Sequence, residues 1–170
     1  GESTSITIAS DRTTLKDKLQ TLVSAYNDLR FALDEISDPE SEEEEVGGAL
    51  ARDISIIRTV KDTIYRAITQ DSSTASGNLN GLRDIGFNFS LSGDLNFDET
   101  AFDTVADTSF ADVSMMLSAG TNDQSKYDGR AQGFAADAIE TLDVLTDSID
   151  GVFTTRTASA RKAIIDYETQ

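Results

Sequence analysis

The chain has 170 residues, 38 % of them hydrophobic and including eight Phe and four Tyr, which is enough for one domain with its own core. Acidic residues outnumber basic ones 31 to 14, a net charge of −17 that repels phosphate backbones and anionic lipid surfaces, so neither nucleic acid nor a membrane is expected as a partner. Cysteine and histidine are both absent, which excludes disulfides, thiol nucleophiles, zinc sites with nitrogen or sulfur ligands, and every His-dependent triad.

The N-terminus, Gly1-Glu2-Ser3-Thr4-Ser5, lacks the basic and apolar regions of a signal peptide. Thr4 to Ala9 alternates as a strand does, with Ile6 and Ile8 on one face and no hairpin partner after it. The expectation is a stub, residues 1–10, cut from a longer chain, followed by a helical domain over residues 11–170.

Asp11 to Ile36 reads as the first long helix, with Thr14 and Asp17 in the form of a capping box. Leu15, Leu19, Leu22, Tyr26, Leu29, Leu33 and Ile36 recur at alternating spacings of four and three, an a/d seam through three heptads. So narrow a stripe is buried only when another helix covers it; full burial supplies roughly 10–20 kcal/mol as an upper bound. Ser37-Asp38-Pro39, holding the only proline, ends the helix. The run Glu42 to Glu45 then reads as a solvated, self-repelling loop rather than a cation site.

Gly47-Gly48 precedes a second helix, about Ala49 to Thr69, whose Leu50, Ile54, Ile57, Ile64 and Ile68 again fall at heptad spacing, with Lys61 as a snorkelling seam residue. Gln70 to Asn80, rich in Ser, Thr, Asn and Gly, reads as a flexible connection. Ile85, Phe87, Phe89 and Leu91 then alternate with polar residues, and Ser92-Gly93-Asp94 turns the chain back into Leu95 and Phe97. This predicts a hairpin over 85–97 with one apolar face, which must lie on the helices because an isolated hairpin is marginal in water. Asp98-Glu99 opens a short helix carrying Phe102 and Val105, and Phe110 to Leu117 makes another. Gly120 to Gly133 is a second loop.

The last helix is expected as one piece from Phe134 to Tyr167, roughly 50 Å long. Its stripe of Ala138, Leu142, Leu145, Ile149 and Val152 shifts register to Ala160, Ile164 and Tyr167, and Gly151 sits inside it at a cost of about 1 kcal/mol. Three seams imply a mainly α fold (α+β): an antiparallel helical bundle of coiled-coil character, with the small hairpin packed on it.

Candidate sites are few. Asp94, Asn96 and Asp98 match the first spacings of a calcium loop, but Glu99 stands where its glycine belongs and Val105 where its bidentate Glu belongs. Gly77, Gly81 and Gly86 do not form a phosphate-binding fingerprint. No catalytic, cofactor-binding or metal residue is assigned, no cofactor is expected, and the partner-binding residues stay unassigned. The reading is a non-enzymatic structural domain, with a carboxylate-only glycosidase as the catalytic alternative.

Several segments in order resemble the C-terminal region of the FliD family, the flagellar filament caps, also called hook-associated proteins. They are Leu22 to Leu29 with its central Tyr26-Asn27, Gly48-Ala49-Leu50 with Asp53 and Ile57-Arg58, Leu82 to Phe87 with Gly93 to Asp98, Val113 to Leu117, and Gly133-Phe134-Ala135. Asp103 to Ser109 departs from the family in lacking a proline, and the Glu42 to Glu45 loop is long. The resemblance implies a structural domain, the helical leg, joined through strands such as Thr4 to Ala9 to a β-rich head. It implies a protein exported by the flagellar type III apparatus that assembles as a ring at the extracellular distal tip of the filament, where it retains flagellin and promotes its polymerisation. The partners so implied are flagellin and further copies of the protein. It also implies an N-terminal helical segment that completes the bundle. A different axial coiled-coil component, flagellar or from a phage tail, is the alternative, which the hairpin at 85–97 disfavours.

Overall fold

The computed structural model describes residues 12–42, 47–119 and 131–169. The strand stub at residues 1–10, most of the acidic run Glu42 to Glu45, and most of the loop Gly120 to Gly133 lie outside the described residues.

The first helix, α1 (Arg12–Ser37), is followed by α2 (Ile54–Thr69), a 3-10 turn (Leu82–Ile85), β1 (Phe87–Phe89), β2 (Leu95–Phe97), α3 (Glu99–Ser118), α4 (Phe134–Thr146) and α5 (Val152–Glu168). The class is the expected one, mainly α with a two-stranded antiparallel hairpin. In that hairpin Phe87 pairs with Phe97, Asn88 with Asn96 and Phe89 with Leu95. Helix α2 lies between α1 and α4, and α4 also touches α3 and α5.

Two hydrophobic clusters hold these elements together. The larger contains Leu19 and Val23 of α1, Leu82 and Ile85 of the 3-10 turn, Phe87 and Leu95 of the hairpin, Phe102, Ala106, Val113 and Met116 of α3, and Phe134 of α4. The smaller joins Leu33 of α1, Ile56, Ile57, Val60 and Ile64 of α2, and Leu145 of α4. The most deeply buried large side chains include Phe102, Leu82, Ile85 and Leu95. The hairpin is therefore part of the main core rather than an ornament on a bundle.

Several sequence expectations are corrected, each for an identifiable reason. Thr14 lies inside α1, which already runs from Arg12, so it does not cap that helix. The second helix starts at Ile54 rather than Ala49. Before it, Gly48 N–H donates to Glu35 O at 3.1 Å and Leu50 N–H to Ile36 O at 2.8 Å, so this stretch satisfies the open carbonyls at the end of α1. Asp53 then caps α2, its carboxylate accepting from Ile56 N–H at 3.3 Å. Because α1 and α4 both cover α2, its buried face is wide and includes Val60 and Ala67, while the predicted seam residue Ile54 is exposed.

Gln70 to Asn80 is a built structure rather than a slack tether. Ser72 is buried and its hydroxyl donates to Met116 O at 2.6 Å, and Thr74 hydroxyl donates to Met115 O at 2.6 Å. These side chains satisfy carbonyls at the C-terminal end of α3, the groups a helix end leaves without intrahelical partners. Ser73 anchors the same loop to Asp137 of α4 through its N–H and its hydroxyl, each at 2.7 Å. Leu91, expected on the apolar face of the hairpin, is fully exposed because β1 ends at Phe89.

The two short helices expected between Asp98 and Leu117 are both present: α3 is two helical pieces that meet at Ser109, whose φ of −138° and ψ of 33° leave the helical region. The last helix is not continuous: α4 ends at Thr146, α5 begins at Val152, and Gly151 precedes α5 instead of lying within it. Ile149 is exposed at this break, and α5 buries none of its residues, so Ile164 and Tyr167 are exposed too.

Candidate functional site

The opening seam of α1 meets two different surroundings. Leu19 and Leu33 are buried, whereas Leu29 is 42 % exposed. Between these ends, Tyr26, Asn27 and Arg30 grip the hairpin. Asn27 Oδ1 accepts from Leu95 N–H at 2.9 Å and its Nδ2 donates to Leu95 O at 3.0 Å. One side-chain amide thus serves β2 as a neighbouring strand would, closing an otherwise open edge. Three residues along, Arg30 Nη1 donates to Asp94 Oδ1 at 2.7 Å. Gly93, at φ +88°, brings its backbone against that guanidinium; an added Cβ would lie 3.2 Å from Arg30 Nη1.

The aromatic side of the junction completes the grip. Tyr26 meets Phe89 edge-on at 5.7 Å, and Tyr65 of α2 also meets Phe89, tilted, at 5.2 Å. Burial pushes the Tyr26 phenol pKa up. Phe97 contacts Phe87 at 4.8 Å and Phe102 at 5.6 Å, continuing the ring contacts into α3. Lys16, hydrogen-bonded to Asp103 at 3.1 Å, ties the start of α1 to α3. Lys61 lies at the rim with Nζ 2.6 Å from Asp34 Oδ1, half exposed, so this pair contributes at most about 1 kcal/mol.

Replacing Asn27 by leucine strands both backbone groups of Leu95 and should cost about 2 kcal/mol, read as a lower urea midpoint at unchanged slope. An equal loss for Asn27→Leu and for the exposed control Asp28→Leu would show that the bidentate contact is not what matters.

The calcium-like spacing Asp94, Asn96, Asp98 is taken up by the fold. Asp94 accepts from Arg30, Ser90 and Ser92, and Asp98 caps α3 by accepting from Thr100 N–H at 2.9 Å and Ala101 N–H at 3.0 Å. The Ser92 hydroxyl and Arg30 hold the Asp94 carboxyl below its ordinary range. Asp147 is also held low, by the N–H groups of Asp150 and Ile149. A glycosidase's general acid needs the opposite shift, so neither carboxylate suits that role. Since the folded pKa of Asp94 is depressed, its contribution is complete above roughly pH 4 and is lost as pH falls through the folded value. The Tyr26 environment should loosen over that acid range, a change that tyrosine fluorescence would follow and that Asp94→Asn should abolish.

Beside the junction lies an apolar groove of about 500 Å³, walled by Leu15, Leu19 and Leu22 of α1, Ala67 and Ile68 of α2, Phe110 and Leu117 of α3, and Phe134, Ala138 and Leu142 of α4. Three of the seven seam residues of α1, Leu15, Leu19 and Leu22, therefore line this groove. Among the described residues no group of three or more Asp or Glu side chains is placed to hold a metal ion, and no helix is long and apolar enough to cross a membrane.

These features can be set beside known proteins. No curated protein matches the chain. Among solved structures it is similar to the D1-D2-D3 domains of the flagellar cap protein FliD from Escherichia coli, with a TM-score of 0.66 and 21 % identity. The similarity covers 90 % of this chain and 38 % of that one, so it establishes a shared fold over part of a longer molecule. The profile of the family described as the C-terminus of flagellar hook-associated protein 2 matches residues 1–170. With its Tyr26-Asn27 helix docked on its Gly93-Asp94-Leu95 hairpin, the chain belongs to the FliD C-terminal family of flagellar hook-associated proteins.

Proposed function

We propose that this chain is the helical leg domain of a flagellar filament cap, which retains flagellin at the filament tip and promotes its polymerisation. The single observation that carries the reading is the match of the flagellar hook-associated family along residues 1–170. The internal geometry supports a mechanical role: the motif residues Tyr26, Asn27 and Asp94 are spent on locking α1 to the hairpin, and none faces a cleft with an activated nucleophile or acid. In this reading two ion-paired and hydrogen-bonded elements keep the leg rigid while subunits are added below the cap.

The protein is exported by the flagellar type III apparatus and works outside the cell as a ring of copies, with residues 1–10 leading from a β-rich head. The groove lined by Leu15, Leu22, Phe110 and Leu142 receives the helical segment that precedes this region in the longer protein, completing the α1 seam. The hairpin counts against a plain coiled-coil shaft, since Phe87 and Leu95 are core residues and not appendages.

Deleting the parent gene and restoring it with or without this region tests the function. Restoration without the region should leave cells non-motile, with flagellin monomer accumulating in the medium. Equal motility and no leaked monomer would remove the cap reading.

A further inference from the structure

Between α4 and α5 the helical ladder is interrupted at two residues, Asp147 and Gly151, whose ψ values of 132° and 151° are extended. Asp147 N–H still donates to Asp143 O at 2.8 Å, and Gly151 N–H donates to Asp147 O at 3.1 Å, both with the spacing of an unbroken α-helix. The ladder is open at the N–H groups of residues 148–150 and again at those of residues 152–154, and it resumes where Thr155 N–H donates to Gly151 O at 3.0 Å. Two of the first three are held by one side chain: Asp147 Oδ1 accepts from Ile149 N–H at 2.8 Å and from Asp150 N–H at 2.8 Å. Thr154 hydroxyl, donating to Asp147 O at 2.8 Å, adds to the clasp.

The segment Asp147-Ser148-Ile149-Asp150-Gly151 contains no proline, and the apolar spacing Leu142, Leu145, Ile149, Val152 runs through it as if the helix were continuous. In the broken form Ile149 is exposed. Helix α5 has no fully buried residue and meets the core only through the partly buried Val152 at its first position, so a swing of the helix disturbs little of the core. Its ties to α2 are the Arg156 guanidinium, 2.8 Å from Ser55 Oγ and 3.3 Å from Asp53 Oδ1, and these are half exposed. Rewinding thus gives up the two carboxylate contacts for up to six ladder hydrogen bonds, each replacing a bond to the carboxylate or to solvent.

We propose that the α4–α5 junction is a conformational switch, in which the N–H groups of residues 148–150 and 152–154 leave or rejoin the helical ladder and so decide whether α4 and α5 are two jointed helices or one straight rod. The junction carries its own selective probes. In the broken form a Cβ on residue 151 would collide with Asp147 O and lie 2.7 Å from Asp147 N, which no side chain tolerates. Alanine is the residue best suited to a continuous helix, so Gly151→Ala excludes the first state and favours the second. Ser148→Pro does the reverse: Asp147 already has the extended ψ of 132° that a residue before proline adopts, while proline inside the straight rod would break its ladder.

The chain has no cysteine, so Glu140→Cys and Ala158→Cys give a clean pair of spin-label sites, both exposed. In a straight rod these sites are five whole turns apart on one face, about 27 Å. Pulsed electron-electron resonance should find the parent and Ser148→Pro sharing a distance set by the break, and Gly151→Ala moving to about 27 Å. A folded Gly151→Ala protein with the same distribution as Ser148→Pro would overturn the switch, as would a parent already confined to the straight distance. If Gly151→Ala loses its helical circular dichroism, Asp147→Ala decides instead, since it removes the clasp without a clash. A new population near 27 Å supports the proposal, and its absence overturns it.

Discussion

Phe102→Ala should lower the unfolding free energy by about 3–5 kcal/mol, the cost of removing a buried ring and leaving a cavity. Phe102 has no exposed surface. It sits one turn into α3, contacts Phe97 of the hairpin at 5.6 Å, and shares its cluster with Leu19 and Val23 of α1. One truncation therefore loosens three elements together. For a domain of this length the loss corresponds to a fall in Tm of roughly 6–20 °C. Urea unfolding followed by circular dichroism reads it directly. A loss below about 1 kcal/mol would move the energetic centre away from the α3–hairpin contact and back to the helical seams. Phe153→Ala, on the exposed face of α5, should change stability by no more than about 0.5 kcal/mol in the same assay.

The second large effect is expected at Gly86. Its φ of +101° lies in the region that side chains rarely adopt, and an added Cβ would meet Asp98 O at 2.6 Å. That contact cannot be relieved cheaply, because Asp98 N–H donates to Gly86 O at 2.9 Å while the Asp98 side chain caps α3. Gly86 joins the 3-10 turn to β1 and sets the height at which the hairpin meets the start of α3. Gly86→Ala should cost about 3 kcal/mol, combining backbone strain with displacement of the α3 cap. Hydrogen exchange should show the loss first at the amides of Phe87 to Phe89 and at the first turn of α3. Unchanged protection there would mean that the turn absorbs the extra carbon without moving the hairpin.

Helix and strand identity were largely legible in the residues, because apolar periodicity is local. The four-three spacing marks α1 and α2, and the alternation of Phe87 and Phe89 marks β1. The family was legible for a related reason: Tyr26-Asn27 and Gly93-Asp94-Leu95 are short motifs in a recognisable order. Their job was not legible. Nothing in a one-dimensional reading says that Asn27 spends its amide on the backbone of Leu95, since that contact joins residues 68 positions apart. The serine- and threonine-rich stretch after α2 misled for the opposite reason. Composition reads it as slack, yet Ser72 and Thr74 close the end of a helix that comes more than 40 residues later.

By itself, then, the sequence determined the mainly α class, the hairpin, the family and the exclusion of cysteine and histidine chemistry, all of which follow from residue type and short-range spacing. Tertiary structure alone decided where each seam is spent. It placed Leu19 in the core and Leu29 in solvent, made the hairpin part of the main core, and broke the last helix at Asp147 to Gly151. The physical reason is that a seam specifies only that an apolar stripe needs cover. Which element supplies that cover, and where a backbone N–H prefers a carboxylate to the helical ladder, depends on neighbours far along the chain.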